Sequence, residues 1–256
     1  MILRRNHMKK ICCAVLVALG LMLPNAAKAV DLTGLYVAPK FVLNVQHAKG
    51  SLSALGYGLG SDSTTEASAG GALAIGYDFS KKFNVPVRAE LEYGAYGNIS
   101  KDKDMSELTR AVAVANGVIS ADSADAISSN LRTKVGVQTL FANVYWDITT
   151  WNNFTPYVGA GIGLAFVKTE ATYSESATDD TSGQSYSSSE SANNTETVFA
   201  GQVGFGCSYA FTDNISADFG YRFLMMGDGE TEKYGIKVES TDNYAHQFML
   251  GVRVTF

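Results

Sequence analysis

The sequence predicts an all-β fold, an eight-stranded antiparallel up-and-down transmembrane β-barrel with short turns at one end and long loops at the other. Three observations predict it. Runs of about ten residues alternate apolar with polar or small side chains, the period of a strand lying between two different solvents. The connections between those runs alternate strictly between short and long. Beyond residue 30 no stretch is apolar enough to cross a bilayer as a helix, so membrane residence would fall to strands.

The last run shows the pattern most plainly. From His246 onward one face reads His246, Phe248, Leu250, Val252, Val254 and Phe256, and the other Gln247, Met249, Gly251, Arg253 and Thr255. Eight such runs are expected over 34–46, 70–79, 85–96, 135–148, 155–168, 198–211, 215–224 and 244–256. The connections 80–84, 149–154 and 212–214 are short, and 47–69, 97–134, 169–197 and 225–243 are long. A soluble barrel would turn the apolar face inward. Eight strands enclose too little space for that many aromatic rings, so the apolar face is assigned to lipid and the charges to the lumen. Tyr77, Phe79, Trp146, Trp151, Phe154, Tyr157, Tyr209, Phe211 and Phe256 gather near the short turns and suit an interfacial girdle.

The N-terminus supplies an address. Arg4, Arg5, Lys9 and Lys10 precede an apolar run from Ile11 to Leu23, followed by Pro24 and Ala27-Lys28-Ala29. A basic start, an apolar run too short to span and a small-residue site make residues 1–29 a secretory signal peptide cleaved after Ala29. Translation can begin at Met1 or Met8, since Met8-Lys9-Lys10 is itself a complete signal opening. The predicted location is the Gram-negative outer membrane, with short turns in the periplasm and long loops outside. Residues 1–29 hold five of the 20 Lys and Arg and no acid, so the mature domain 30–256 keeps fifteen against 25 Asp and Glu, a net charge of about −10. That balance excludes strong nucleic-acid binding. Cys207 is the one thiol of 30–256, so no internal disulfide forms, and the scattered His residues suggest no metal site.

Three groups of residues bear on function. Lys40, Asp78, Arg88, Glu90, Glu92, Asp147, Asp218, Arg222 and Arg253 fall on the lumen face as a charge network, read first as a structural plug and second as a gate. Gly159, Gly161, Gly163, Gly204 and Gly206 also face inward and leave room for large neighbours; no helix follows them, which removes a phosphate-loop reading. In the long connections, 105–116 reads as a short helix with Asp104 and Glu107 in a capping box and Met105, Leu108, Val112 and Ala115 on one face, capping the barrel mouth. The Ser/Thr-rich segment 169–197 holds six acids and no Lys or Arg and is expected to be a mobile loop. A catalytic centre at the outer rim has few candidates. His246 stands on the lipid face without a neighbouring Ser, and His47 opens a long connection.

Gly-Leu-Tyr-Val (34–37), Val-Arg-Ala-Glu-Leu-Glu-Tyr (87–93), Ala-Asn-Val-Tyr-Trp-Asp (142–147), Thr-Pro-Tyr-Val-Gly-Ala-Gly-Ile-Gly (155–163), Phe-Gly-Tyr-Arg-Phe (219–223) and the closing Gly-Val-Arg-Val-Thr-Phe stand in this order. Together they resemble the opacity-protein and surface-antigen family of eight-stranded outer-membrane barrels, relatives in fold of the transmembrane part of outer membrane protein A. The resemblance implies a non-catalytic surface antigen or adhesin-like barrel that contributes to envelope integrity and needs no cofactor. Its partners would be outer-membrane lipid and lipopolysaccharide, the outer-membrane assembly machinery reading Gly251, Val252, Val254 and Phe256, and host or envelope macromolecules meeting loops 47–69, 97–134, 169–197 and 225–243. It also implies an inward Lys at position 40 and no periplasmic wall-binding domain. A narrow porin-like channel for small or apolar solutes is the alternative function, and a lipid-modifying enzyme comes third.

Overall fold

The computed structural model describes residues 31–54, 57–115, 117, 127–178, 185–227, 229–233 and 236–256. The proposed signal, residues 1–29, lies outside them. Ten strands form one antiparallel sheet: β1 (Leu35–Ala54), β2 (Tyr57–Asp78), β3 (Val87–Tyr96), β4 (Ile99–Asp104), β5 (Ile127–Asp147), β6 (Phe154–Thr178), β7 (Ser185–Ala210), β8 (Ile215–Met226), β9 (Gly229–Lys233) and β10 (Ile236–Thr255). Among the described residues two helices accompany them, α1 (Ser80–Phe83) and α2 (Ser106–Ala115).

Eight strands close a ring in the order β1-β2-β3-β5-β6-β7-β8-β10, and β10 pairs back on β1 from Tyr36↔Thr255 to Ala54↔Ile236. β4 carries the line of β3 onward along β5, and β9 folds back on β10. Closure is what hydrocarbon demands, since an open edge there would leave backbone N–H and C=O groups unpaired. The seam is tied at its last residue. Gly34 N donates to Phe256 O at 2.9 Å, and Phe256 N to Leu35 O at 2.8 Å.

The faces sort as their periodicity requires. Along β3, Arg88, Glu90, Glu92 and Tyr96 are buried inside the ring, while Leu91 and Tyr93 stand 57% and 47% exposed outside. Phe41, Ile75, Val144, Ile162, Phe205 and Leu250 continue the exposed apolar exterior. A belt this large would drive aggregation in water and is stable only in contact with lipid. The girdle forms with one correction: Tyr157 points inward and is buried. It shares its parity along β6 with Gly159 and Gly161, so it belongs to the lumen.

Each short connection has a local cause. In the first, α1 ends at Asn84, whose left-handed φ of 54° stops the helical turn. In the second, Trp151 and Phe154 exchange backbone hydrogen bonds of 2.8 Å across Asn152 and Asn153, whose φ values of 44° and 73° match the hairpin turn that suits twisted strands. In the third, Thr212 Oγ1 accepts from the N–H groups of Asn214 and Ile215.

The long connections depart furthest from expectation. The strands run well past the membrane, so 47–54 and 57–69 pair as the arms of a β-hairpin with a register shift at Leu52/Ser53. Residues 169–178 and 185–197 belong to β6 and β7, 25 and 26 residues long, where about ten suffice to cross hydrocarbon. A ladder of backbone hydrogen bonds needs no apolar core, and β-branched Thr favours it. The helix begins one residue late, at Ser106. Asp104 Oδ1 accepts from Ser106 N at 2.8 Å and from Ser106 Oγ, so the expected capping box with Glu107 gives way to a tighter local cap. Gly117, at φ 69°, follows the helix. Val112 and Ala115 are exposed, and α2 instead docks through hydroxyls: Thr109 Oγ1 meets Ser129 Oγ at 2.7 Å and Tyr173 OH at 3.2 Å, on the lumen-side face of the β5–β6 extension.

Lumen glycines are steric requirements. A Cβ at Gly159 would strike the Tyr145 ring, whereas one on outward Gly201 would meet nothing closer than 4.0 Å. Gly159→Val is therefore expected to lower the unfolding free energy by about 2 kcal/mol. Gly201→Ala should stay within about 0.5 kcal/mol of the parent. Urea unfolding of both variants in detergent micelles checks the contrast.

Candidate functional site

The lumen is filled, and its contents change character with depth. At mid-depth Lys40 from β1 reaches two acids of β3: Nζ lies 2.5 Å from Glu90 Oε1 and 2.6 Å from Glu92 Oε2. Glu92 is completely buried and takes a second cation, Arg222 Nη1 from β8, at 2.6 Å. Arg222 also donates through Nε to Gln247 Oε1 and through Nη2 to Tyr96 OH at 3.0 Å. Gln247 passes the chain on to Asn44 Oδ1 at 2.8 Å. On the other side Glu90 Oε2 accepts from Tyr36 OH at 3.2 Å, and Asn143 Oδ1 accepts from Gln202 Nε2. One connected web thus ties β1, β3, β5, β7, β8 and β10 across the ring. Gly251, opposite Lys40, leaves space for the lysine stem.

Nearer the short turns the pairs are simpler. Arg88 grips Asp147 with Nε at 3.0 Å and Nη2 at 2.8 Å, and its guanidinium lies 4.8 Å from the Tyr157 ring centre and 5.1 Å from that of Tyr145. Arg253 Nη2 donates to Ser208 Oγ at 2.7 Å and lies 3.4 Å from Asp218 Oδ1. Asp78 does not join the cross-lumen web. Its Oδ1 accepts from Ser80 N and Oγ and closes the first turn instead. An Asp at the end of a strand is well placed for such a turn.

Beyond Arg222 the inward positions of β8 turn apolar, and apolar side chains also stand among the polar ones, with Val42 between Lys40 and Asn44 on β1 and Phe141 opposite Glu92. Val42, Val137, Phe141, Leu224, Met226 and Met249 are buried together inside the ring, with Val135, Val167 and Val198 packed against them. The alternation argument missed this cluster, because it assigned every inward position to polar chemistry. Its signal was a local loss of alternation, as in Leu140-Phe141 within β5 and Leu224-Met225-Met226 at the end of β8, where both faces turn apolar. A cavity of about 10 Å³ touches Asn143, Tyr145, Tyr157, Gln202, Arg222 and Met249, room for about one water molecule. Gln202 Oε1, buried without a hydrogen-bond partner, belongs to the same neighbourhood.

Outside the membrane-crossing region, ion pairs fasten the two ends. Lys82 donates to Asp31 at 2.7 Å and holds its carboxyl below the usual range, and Arg132 does the same to Asp102 across β4 and β5. At the outer wall His246 Nδ1 lies 2.7 Å from Tyr221 OH, among the rings of Tyr221, Phe223 and Tyr244. Its partners are aromatic, with no nucleophile or carboxylate in the contact.

A closed ring with a lipid-facing exterior and a charged, filled interior is now matched by kinship. A family model for the outer membrane protein β-barrel domain covers residues 13–256. The chain belongs to that family. Outer membrane protein PagN of Salmonella typhimurium is 30% identical over 194 residues, 73% of this chain and 72% of that protein. A putative adhesin of Rickettsia bellii is 28% identical over 126 residues, covering 47% of this chain and 53% of its own. An uncharacterized Brucella abortus protein is 34% identical over 103 residues, 40% of this chain and 35% of its own. Among solved structures, Neisserial surface protein A aligns over 88% of this chain and 98% of its own, with 21% identity and a TM-score of 0.42. The chain is an outer-membrane β-barrel protein.

Removing one member of the buried web strands the others. Glu92→Gln should lower the unfolding free energy by about 3 kcal/mol, because Arg222 loses its only carboxylate partner among the described residues. Glu92→Leu combined with Arg222→Met should cost less than the sum of the two single changes. A double-mutant cycle by urea unfolding in micelles reads both, and simple additivity would show that the pair does not act as a unit.

Proposed function

We propose that this protein is a non-catalytic surface scaffold of the outer membrane, adhesin-like in role, whose sealed barrel holds β-hairpins outside the cell and contributes to envelope integrity. The observation that carries this reading is the β6–β7 hairpin. At about 3.3 Å per residue its strands span roughly 80 Å, well over twice the hydrocarbon thickness, so most of the hairpin stands in water. A cell that needed only a membrane plug would gain nothing from that projection. Similarity to PagN and to a putative adhesin of Rickettsia bellii supports the same reading. The filled lumen favours a scaffold over a channel. The aromatic surroundings of His246 favour anchoring over catalysis.

In this reading the short turns face the periplasm and the long hairpins face outward, where lipopolysaccharide and host macromolecules are met. Residues 1–29 serve as a cleaved secretory signal, and Gly251, Val252, Val254 and Phe256 serve assembly at the β1–β10 seam. The mature protein recovered from outer-membrane fractions should begin at Val30, which intact-mass measurement reads directly; retention of residues 1–29 contradicts the signal. Displayed on a non-adherent bacterium, the full chain should raise attachment to host epithelial cells at least several-fold. Shortening the β6–β7 hairpin to a tight turn near Phe166 and Val198 should abolish the gain while a folded barrel persists. Attachment unchanged by that trimming would overturn the adhesin role.

A further inference from the structure

We propose that the β8-facing edge of β7 over residues 187–198 is a docking site for an extended, basic polypeptide segment, added antiparallel as a further strand. The inference rests on the adhesin-like reading and names the partner chemistry of its longest hairpin. Inside the ring β7 is paired on both sides, with β6 and with β8. The β7–β8 register ends at Ala200↔Met226, and a last bond runs from Gly227 N to Phe199 O. The β6–β7 register continues to Thr178↔Ser185. Among the described residues no strand pairs with the other side of β7 beyond Phe199.

Proteins normally blunt such an edge with Lys, Pro, a bulge or a covering element. Here 185–198 contains neither Lys nor Pro, and the β6–β7 register passes through it without a shift. The side chains of Ser187, Ser189, Ser191, Asn193 and Thr195 are small and exposed, so they do not screen the backbone groups. An unscreened ladder of N–H and C=O groups is the recognition element used wherever a peptide adds a strand to a sheet.

Charge selects the occupant. Segment 169–197 carries six acids and no Lys or Arg. On β7, Glu190 and Glu196 are six residues apart and therefore on one face of the strand. An added strand places residues of the same spacing directly opposite them, and Lys or Arg there would form cross-strand pairs. A second copy of this edge is the poorer occupant. Antiparallel self-pairing across most of the edge sets Glu190 of one copy opposite or beside Glu196 of the other, and like charges in that position are unfavourable.

The test uses the full mature barrel in detergent micelles and a synthetic peptide of alternating Thr and Val with Lys at two positions six residues apart. Binding is expected at low ionic strength. It should weaken at least tenfold when Glu190→Lys and Glu196→Lys are combined, and should transfer to a Glu-for-Lys peptide on that double variant. Methylating alternate peptide nitrogens should abolish it, since the ladder then loses its donors. Equal binding by the methylated peptide reduces the contact to charge alone and overturns strand addition. Absence of binding, or self-association of the barrel that the peptide does not displace, overturns the assignment of the occupant. Host-cell attachment that persists and still requires the hairpin, alongside a failed peptide, leaves the adhesin-like reading standing and removes only the edge.

Discussion

Glu92 sits fully buried between Lys40 and Arg222, and the closed ring depends on that arrangement. A lone carboxylate inside a protein is costly, and two buried cations are no better without it. Together the three groups join β1, β3 and β8, strands far apart in the sequence and on different sides of the lumen. Hydrogen bonds through Gln247, Asn44, Glu90 and Asn143 extend the tie to β5 and β10. Such a web penalises a slipped strand heavily, because a one-residue shift would carry every charge to the lipid face. The network therefore specifies register as well as filling space.

Apolar side chains complete the filling: Val42 and Phe141 stand among the polar groups of the web, and Leu224 and Met226 lie beyond Arg222 towards the long loops. The interior thus mixes buried ion pairs with buried apolar side chains. The glycines of β6 make the arrangement possible by letting Tyr145 and Asn143 lie flat across the interior. With the lumen given over to packing, the surface available for recognition is the part of the sheet that leaves the membrane.

Much of this was legible in the sequence. Period-two alternation located all eight membrane-crossing strands and assigned the faces of Arg88, Glu90, Glu92 and Arg222. The same parity, applied with more care, would have placed Tyr157 inside. The hairpin extensions were not legible from hydrophobicity, because a Ser/Thr-rich ladder is held by backbone pairing and has the same solvent on both faces. Composition describes such a segment as loop-like until the pairing of 169–178 with 185–194 is seen. The inward apolar cluster was hidden for the opposite reason. Where both faces of a strand are apolar, alternation vanishes and reads as the end of the strand. Asp78 shows a third limit, since parity places a side chain on a face but cannot choose between a neighbour in a turn and a partner across the lumen.

The central claim is that the barrel is shut by its own side chains. Single-channel recording of the refolded domain 30–256 in a planar lipid bilayer addresses it most directly. A sealed lumen predicts a silent bilayer from protein whose folding is established independently by circular dichroism and heat-modifiable mobility. Stable unit openings whose size changes with Glu92→Gln or Arg222→Gln would contradict it and make the charged web the constriction of a channel.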